Sequence, residues 1–155
     1  MAIKRSVLMV ELLMSADRVI SAAQEAPAEP RGDGWPAATV VGHLSQVDTE
    51  VWLPRLDQMV IGRQEGMTPS FAWWEPEAEQ TLVRFAGMTA DDAGAQLLAS
   101  RTLLLHRLRE LTDDDWDARA EHEAFGSLDV EGLMLQVLSH DEEHRASILL
   151  GQPEV

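Results

Sequence analysis

Apolar residues recur along this chain in steps of three and four, and those steps mark out four long helices. Between about Arg5 and Glu25, one face holds Met9, Leu12, Leu13, Ala16, Val19, Ile20 and Ala23. The Pro- and Gly-rich run from Ala26 to Gly34 breaks that pattern and reads as a loop. A second helix is predicted from Pro36, which suits a first turn because its missing N–H costs nothing there, to about Arg63. Its stripe is Val40, His43, Leu44, Val47 and Val51, with a kink expected at Pro54 and an end at Gly62 and Gly66. Met67 to Trp74 reads as a connection with a few packed aromatics, and Glu75 to Phe85 as a short helix. Thr89, followed by Asp91 and Asp92, caps a third long helix that presents Leu97, Leu98, Leu104, Leu105, Leu108 and Leu111. The acids Asp113 to Asp115 open a solvated connection reaching Ser127. A fourth helix is expected from Leu128 or Asp129, with Val130, Leu133, Met134, Val137, His140, His144 and Ile148 on one side, stopped by Gly151 and Pro153.

No alternating run of β-branched residues stands between turn signals, so no strands are expected. Four amphipathic helices in 155 residues predict a single all-α domain, a four-helix bundle spanning the whole chain. A hydrophobic content of 45% is enough for its core. The 27 acids against 12 bases, a net charge of −15, argue against nucleic acid and against an anionic membrane surface as partners. No stretch approaches the roughly 20 apolar residues of a membrane span, and no signal-peptide pattern opens the chain, so a cytoplasmic location is expected. Cysteine is absent, which excludes disulfides, thiolate metal ligands and a cysteine nucleophile. Any thiol chemistry must use a thiol from outside.

The candidate chemistry lies in three histidines. His140 and His144 are four apart on the fourth helix, so both rings leave one face a turn apart. The intervening Asp141-Glu142-Glu143 does not match the zincin pattern, which places a glutamate directly after the first histidine. His43 occupies a core position between Val40 and Val47, where a buried imidazole needs a partner. Helix bundles build metal sites from inward-pointing side chains on facing helices. Three neutral imidazoles suit a divalent ion such as zinc or nickel and leave coordination positions for water or substrate.

These residues sit in blocks that resemble the DinB-like superfamily, which includes YfiT-like proteins and thiol-dependent S-transferases. The first block is Trp35-Pro36-Ala37-Ala38-Thr39-Val40-Val41-Gly42-His43-Leu44, a tryptophan leading into the second helix. The second is Asp115-Trp116, then His122-Glu123-Ala124-Phe125-Gly126, then Leu128 to Ile148 with His140-Asp141 and His144. Pro36 departs from the serine cap common in such proteins. The resemblance implies a bundle, often a homodimer, with a divalent metal on His43, His140 and His144. It also implies an activity joining a small thiol, of the bacillithiol or mycothiol kind, to an electrophile. Metal-assisted hydrolysis, or stress-related binding of a metal or small molecule without turnover, are the alternatives.

Arg101 interrupts the leucine stripe of the third helix. It could line the pocket and bind a carboxylate of the thiol or substrate, or pair with an acid of a neighbouring helix. Glu50 could accept a proton near His43 or be a surface acid. Asp141 could orient a ligand histidine, although its place beside His140 points it elsewhere. His106, His122 and the tryptophans Trp35, Trp52, Trp73, Trp74 and Trp116 read as packing residues, with Trp73 and Trp74 possible at a pocket mouth.

Overall fold

The computed structural model describes residues 2–27 and 34–150. Each apolar stripe folds as a helix. These are α1 (Ala2–Glu25), α2 (Ala37–Val47), α3 (Leu53–Glu65), the short α4 (Ala78–Arg84), α5 (Ala90–Arg109), the single turn α6 (Asp113–Trp116) and α7 (Val130–Leu150). The bundle consists of α1, α2 with its continuation α3, α5 and α7. Helix α5 packs against both α1 and α2, and α1 against α7. Most of the loop expected over Ala26 to Gly34, and the stop at Gly151 and Pro153, lie outside the described residues.

The second helix differs from its expected form. It is not kinked at Pro54 but interrupted earlier, by a π-helical turn over Asp48–Trp52 in which the Leu53 N–H reaches back to the Asp48 carbonyl. Pro54 brings no N–H, so the ordinary partner of the Glu50 carbonyl is missing. The wider turn takes up that defect and lets α3 continue. Gly66, at φ 71°, closes α3 in the left-handed conformation that glycine adopts without penalty.

Three short strands correct the expectation of none. They are β1 (Ser70–Phe71), β2 (Arg119–His122) and β3 (Gly126–Asp129), with β1 parallel and β3 antiparallel to β2. The acidic run is likewise more than a solvated connection. Thr112 and Asp115 exchange the two bonds of a capping box, and the buried Asp115 meets Arg63 at 2.8 Å. Helix α7 begins at Val130, since Leu128 belongs to β3 and the Asp129 carboxylate accepts the Gly132 N–H at 2.7 Å.

Two apolar clusters fill the bundle. One gathers Leu12, Leu56, Met59, Leu104, Leu133, Met134 and Val137. The other gathers Ala16, Val19, Ala23, Val41, Leu44, Ala93 and Leu97. Along α1, α5 and the second helix, buried polar residues fall where one cluster gives way to the other: Ser15, Ser100, Arg101 and Asp48, joined by Asp141 of α7.

Candidate metal centre

The fold brings the three histidines together. His43 leaves α2 and is 2% exposed; His140 and His144 leave α7 one turn apart. The three rings lie 4.9 Å (His43 to His144), 5.6 Å (His43 to His140) and 4.5 Å (His140 to His144) apart between centroids. One ligand atom from each falls within 4.8 Å of the others, as a shared cation requires. The Nε2 atoms of His140 and His144 face each other at 3.0 Å. Two neutral imidazoles so placed need a proton or a cation between their lone pairs.

Burial keeps the His43 and His140 rings neutral. It is the main cause that lowers His43 to about 3, followed by the neighbouring His144, against a raising influence from Gln46. His140 is lowered to about 2, again chiefly by burial, then by His144, His43 and Arg101. Neutral imidazole is the ligand form. The Nδ1 atoms of His43 and His140 are buried without a hydrogen-bond partner among the described residues. Leaving such groups unsatisfied is costly, so the donor set fits a divalent ion.

Aromatic rings hold His43 in place. Trp35 meets it edge-on at 5.3 Å, and Trp74 lies nearly parallel to it, 12° between planes, at 6.3 Å. Trp52, delivered by the π-helical turn, meets His140 at 6.0 Å. The helix can approach its neighbours here because position 42 is glycine: a Cβ there would stand 2.5 Å from the Phe85 ring.

The histidines open onto a cavity of about 460 Å³ whose walls include Val47, Val51, Trp52, Trp73, Trp74 and Phe125. The β2–β3 hairpin supplies one side of the mouth. There the His122 Nδ1 accepts the Ala124 N–H at 3.0 Å, and its ring packs 4.5 Å from Phe125. His122 thus ties the hairpin together and also lines the cavity, while His106 pairs with Glu110 on the surface. Trp73 and Trp74 do more than pack: both line the cavity.

Arg101 does not line it. Its side chain is fully buried, and its guanidinium meets Asp141 at 2.7 and 2.9 Å, Asp48 at 3.2 Å twice, and the Leu12 carbonyl at 2.9 Å. Burial works against its charge, but Asp48 and Asp141 outweigh burial and its pKa is raised. Every direction a ligand carboxylate could take is occupied by the chain itself, which corrects the pocket-lining assignment and leaves the ion-paired one. Asp141 turns away from the histidines toward Arg101 and Ser15, whose hydroxyl donates at 2.7 Å. Glu50 is a surface acid, paired with Arg84 at 2.9 Å.

Sequence reasoning missed Arg55 and Phe125 as cavity residues. Arg55 follows Pro54, outside the apolar stripe that drew attention to Arg101. The π-helical turn, which no stripe announces, also precedes it.

A family description, DinB superfamily, matches residues 15–148. Among solved structures, YfiT from Bacillus subtilis superposes with a TM-score of 0.75 over 95% of this chain and 85% of its own, at 18% identity. That protein is described as a probable metal-dependent hydrolase with an unusual four-helix bundle topology. At this identity the likeness speaks for the fold. No curated protein matches the chain. With the family pattern running over most of its length, through all three histidines, the chain belongs to the DinB superfamily.

Proposed function

We propose that this protein is a divalent-metal-dependent enzyme acting on a small molecule held in the cavity, with His43, His140 and His144 as the ligands. The observation that carries this reading is the convergence of three imidazoles, two buried and one partly buried, on an aromatic-walled cavity, with His43 lowered to about 3 and His140 to about 2. When bound, zinc or nickel lowers the pKa of a coordinated thiol or water and supplies the nucleophile at neutral pH. Trp35 and Trp74 pack against the His43 ring and restrain its orientation. The chain lacks cysteine, so in the reading we favour a small external thiol gives up its proton and its sulfur attacks an electrophile, displacing a leaving group such as the halide of a haloarene, a transferase reaction.

Hydrolysis, with water as the nucleophile, is the second reading. It is favoured by YfiT, a probable metal-dependent hydrolase of the same fold.

The test compares the wild type with His43→Ala and His140→Ala. About one equivalent of metal in the wild type, lost from both variants together with turnover, is the expected result by elemental analysis and rate assay. Turnover only when bacillithiol or mycothiol accompanies an activated haloarene selects the transferase; ester cleavage without thiol selects the hydrolase. Full activity in a variant that binds no metal would overturn both.

A further inference from the structure

The cavity has a cation of its own. Arg55, in the first turn of α3, lines it together with Trp52, Trp74 and Phe125. One Nη2 hydrogen bond to the Ala72 carbonyl, 2.6 Å long, and a position 4.9 Å from the centre of the Phe71 ring fix the guanidinium. No acid pairs with it among the described residues. Among the described residues Arg5, Arg18, Arg63, Arg84, Arg101, Arg107 and Arg145 each have a carboxylate partner, whereas Arg109 and Arg119, which also lack one, are exposed and do not line the cavity.

A half-buried guanidinium beside apolar walls has given up hydration that no side chain restores. That single hydrogen bond leaves most of its five N–H donors for a ligand, in the planar fork that matches a carboxylate. The two acids that line the cavity are placed differently. Glu75 accepts the Trp73 indole N–H at 2.8 Å, and Glu143 stands on α7 between the histidines. An anion therefore meets attraction at Arg55 and repulsion at Glu143.

We propose that the cavity selects a small ring-bearing carboxylic acid, its carboxylate on Arg55 and its apolar body against Trp52, Trp74 and Phe125. The inference rests on reading the cavity as a substrate site, and it names the substrate class.

The test is a fluorescence titration of the zinc-supplemented full chain, read on the cavity tryptophans, with 4-phenylbutyrate and its neutral amide as probes. The acid is expected to bind roughly tenfold more tightly than the amide, as one charge-assisted contact provides. Arg55→Gln removes that preference and leaves amide binding unchanged, a split that loss of structure would not give. Arg55→Lys, which keeps the charge without the fork, retains part of it and serves if the glutamine variant unfolds. The preference persists in His140→Ala, because Arg55 and not an ion on the histidines recognises the acid. A preference that survives Arg55→Gln, one that vanishes in His140→Ala, or no binding of either probe overturns the proposal. A chain that loads no metal yet keeps an Arg55-dependent preference would sink the metal reading and leave this one standing.

Discussion

Two arginines show how the same side chain takes opposite roles. Arg101 is enclosed by Asp48 and Asp141 at the centre of the bundle; Arg55 keeps its donors at the cavity wall. Removing Arg101 would leave two buried carboxylates without their counter-ion, a change that typically costs about 3–5 kcal/mol. Arg101→Ala is therefore expected to lower the urea unfolding midpoint sharply, and a stability within 1 kcal/mol or so of wild type would contradict the pairing described. Replacing Arg101, Asp48 and Asp141 together by apolar residues should recover much of the loss, because desolvation is then no longer incurred. The apolar stripe of α5 placed Arg101 inward from sequence. Its partners were not legible, since Asp48 and Asp141 lie 53 and 40 residues away and only the packing of three helices joins them.

At the scale of elements, the helices were readable and their irregularities were not. A stripe over twenty residues repeats its signal five or six times, whereas a strand such as Arg119–His122 offers two inward positions, Ala120 and His122, and no β-branched residue. Pairing with Ser70–Phe71 and Gly126–Asp129 makes it a strand, and those partners come from distant or turn-linked sequence. The π-helical turn is similar: Pro54 announced a disturbance, but its form depends on burying Val51 and Trp52 together. The contact of α2 with Phe85, just past α4, gives a direct test. Gly42→Ala places a Cβ 2.5 Å from the Phe85 ring and is expected to cost about 1–3 kcal/mol by thermal or urea unfolding. Gly42→Ala combined with Phe85→Leu should cost less than the sum of the two single changes; simple additivity would argue against that contact.

Taken as a whole, the molecule places a polar layer between two apolar ones and opens a cavity beside it. His43 and His140, held neutral in the fold, tie stability to pH. In the unfolded chain they titrate near 6.5, while in the metal-free fold His43 and His140 stay neutral until about 3 and about 2. Below pH 6.5 the unfolded state takes up protons that the folded state refuses, so stability falls with pH, by up to roughly 1.4 kcal/mol per pH unit for each ring. The stabilising contribution is complete above the unfolded value and is lost as pH falls toward the folded ones. Metal-free wild type should thus lose stability between pH 6.5 and 4 faster than a His43→Gln, His140→Gln double variant. Parallel pH profiles of the two unfolding midpoints would refute this account.

The sequence by itself determined the helical architecture and the inward direction of His43, His140, His144 and Arg101, because a period of 3.6 residues assigns each side chain to a face. It also excluded cysteine chemistry, through composition alone. Only the tertiary structure decided what those inward groups meet: that three imidazoles converge, that Arg101 is taken up by Asp48 and Asp141, and that Arg55 lies open among aromatic walls. Faces are local properties of a helix, whereas meetings depend on how separate helices, a π-helical turn and a three-stranded sheet pack, which no single stretch of chain encodes.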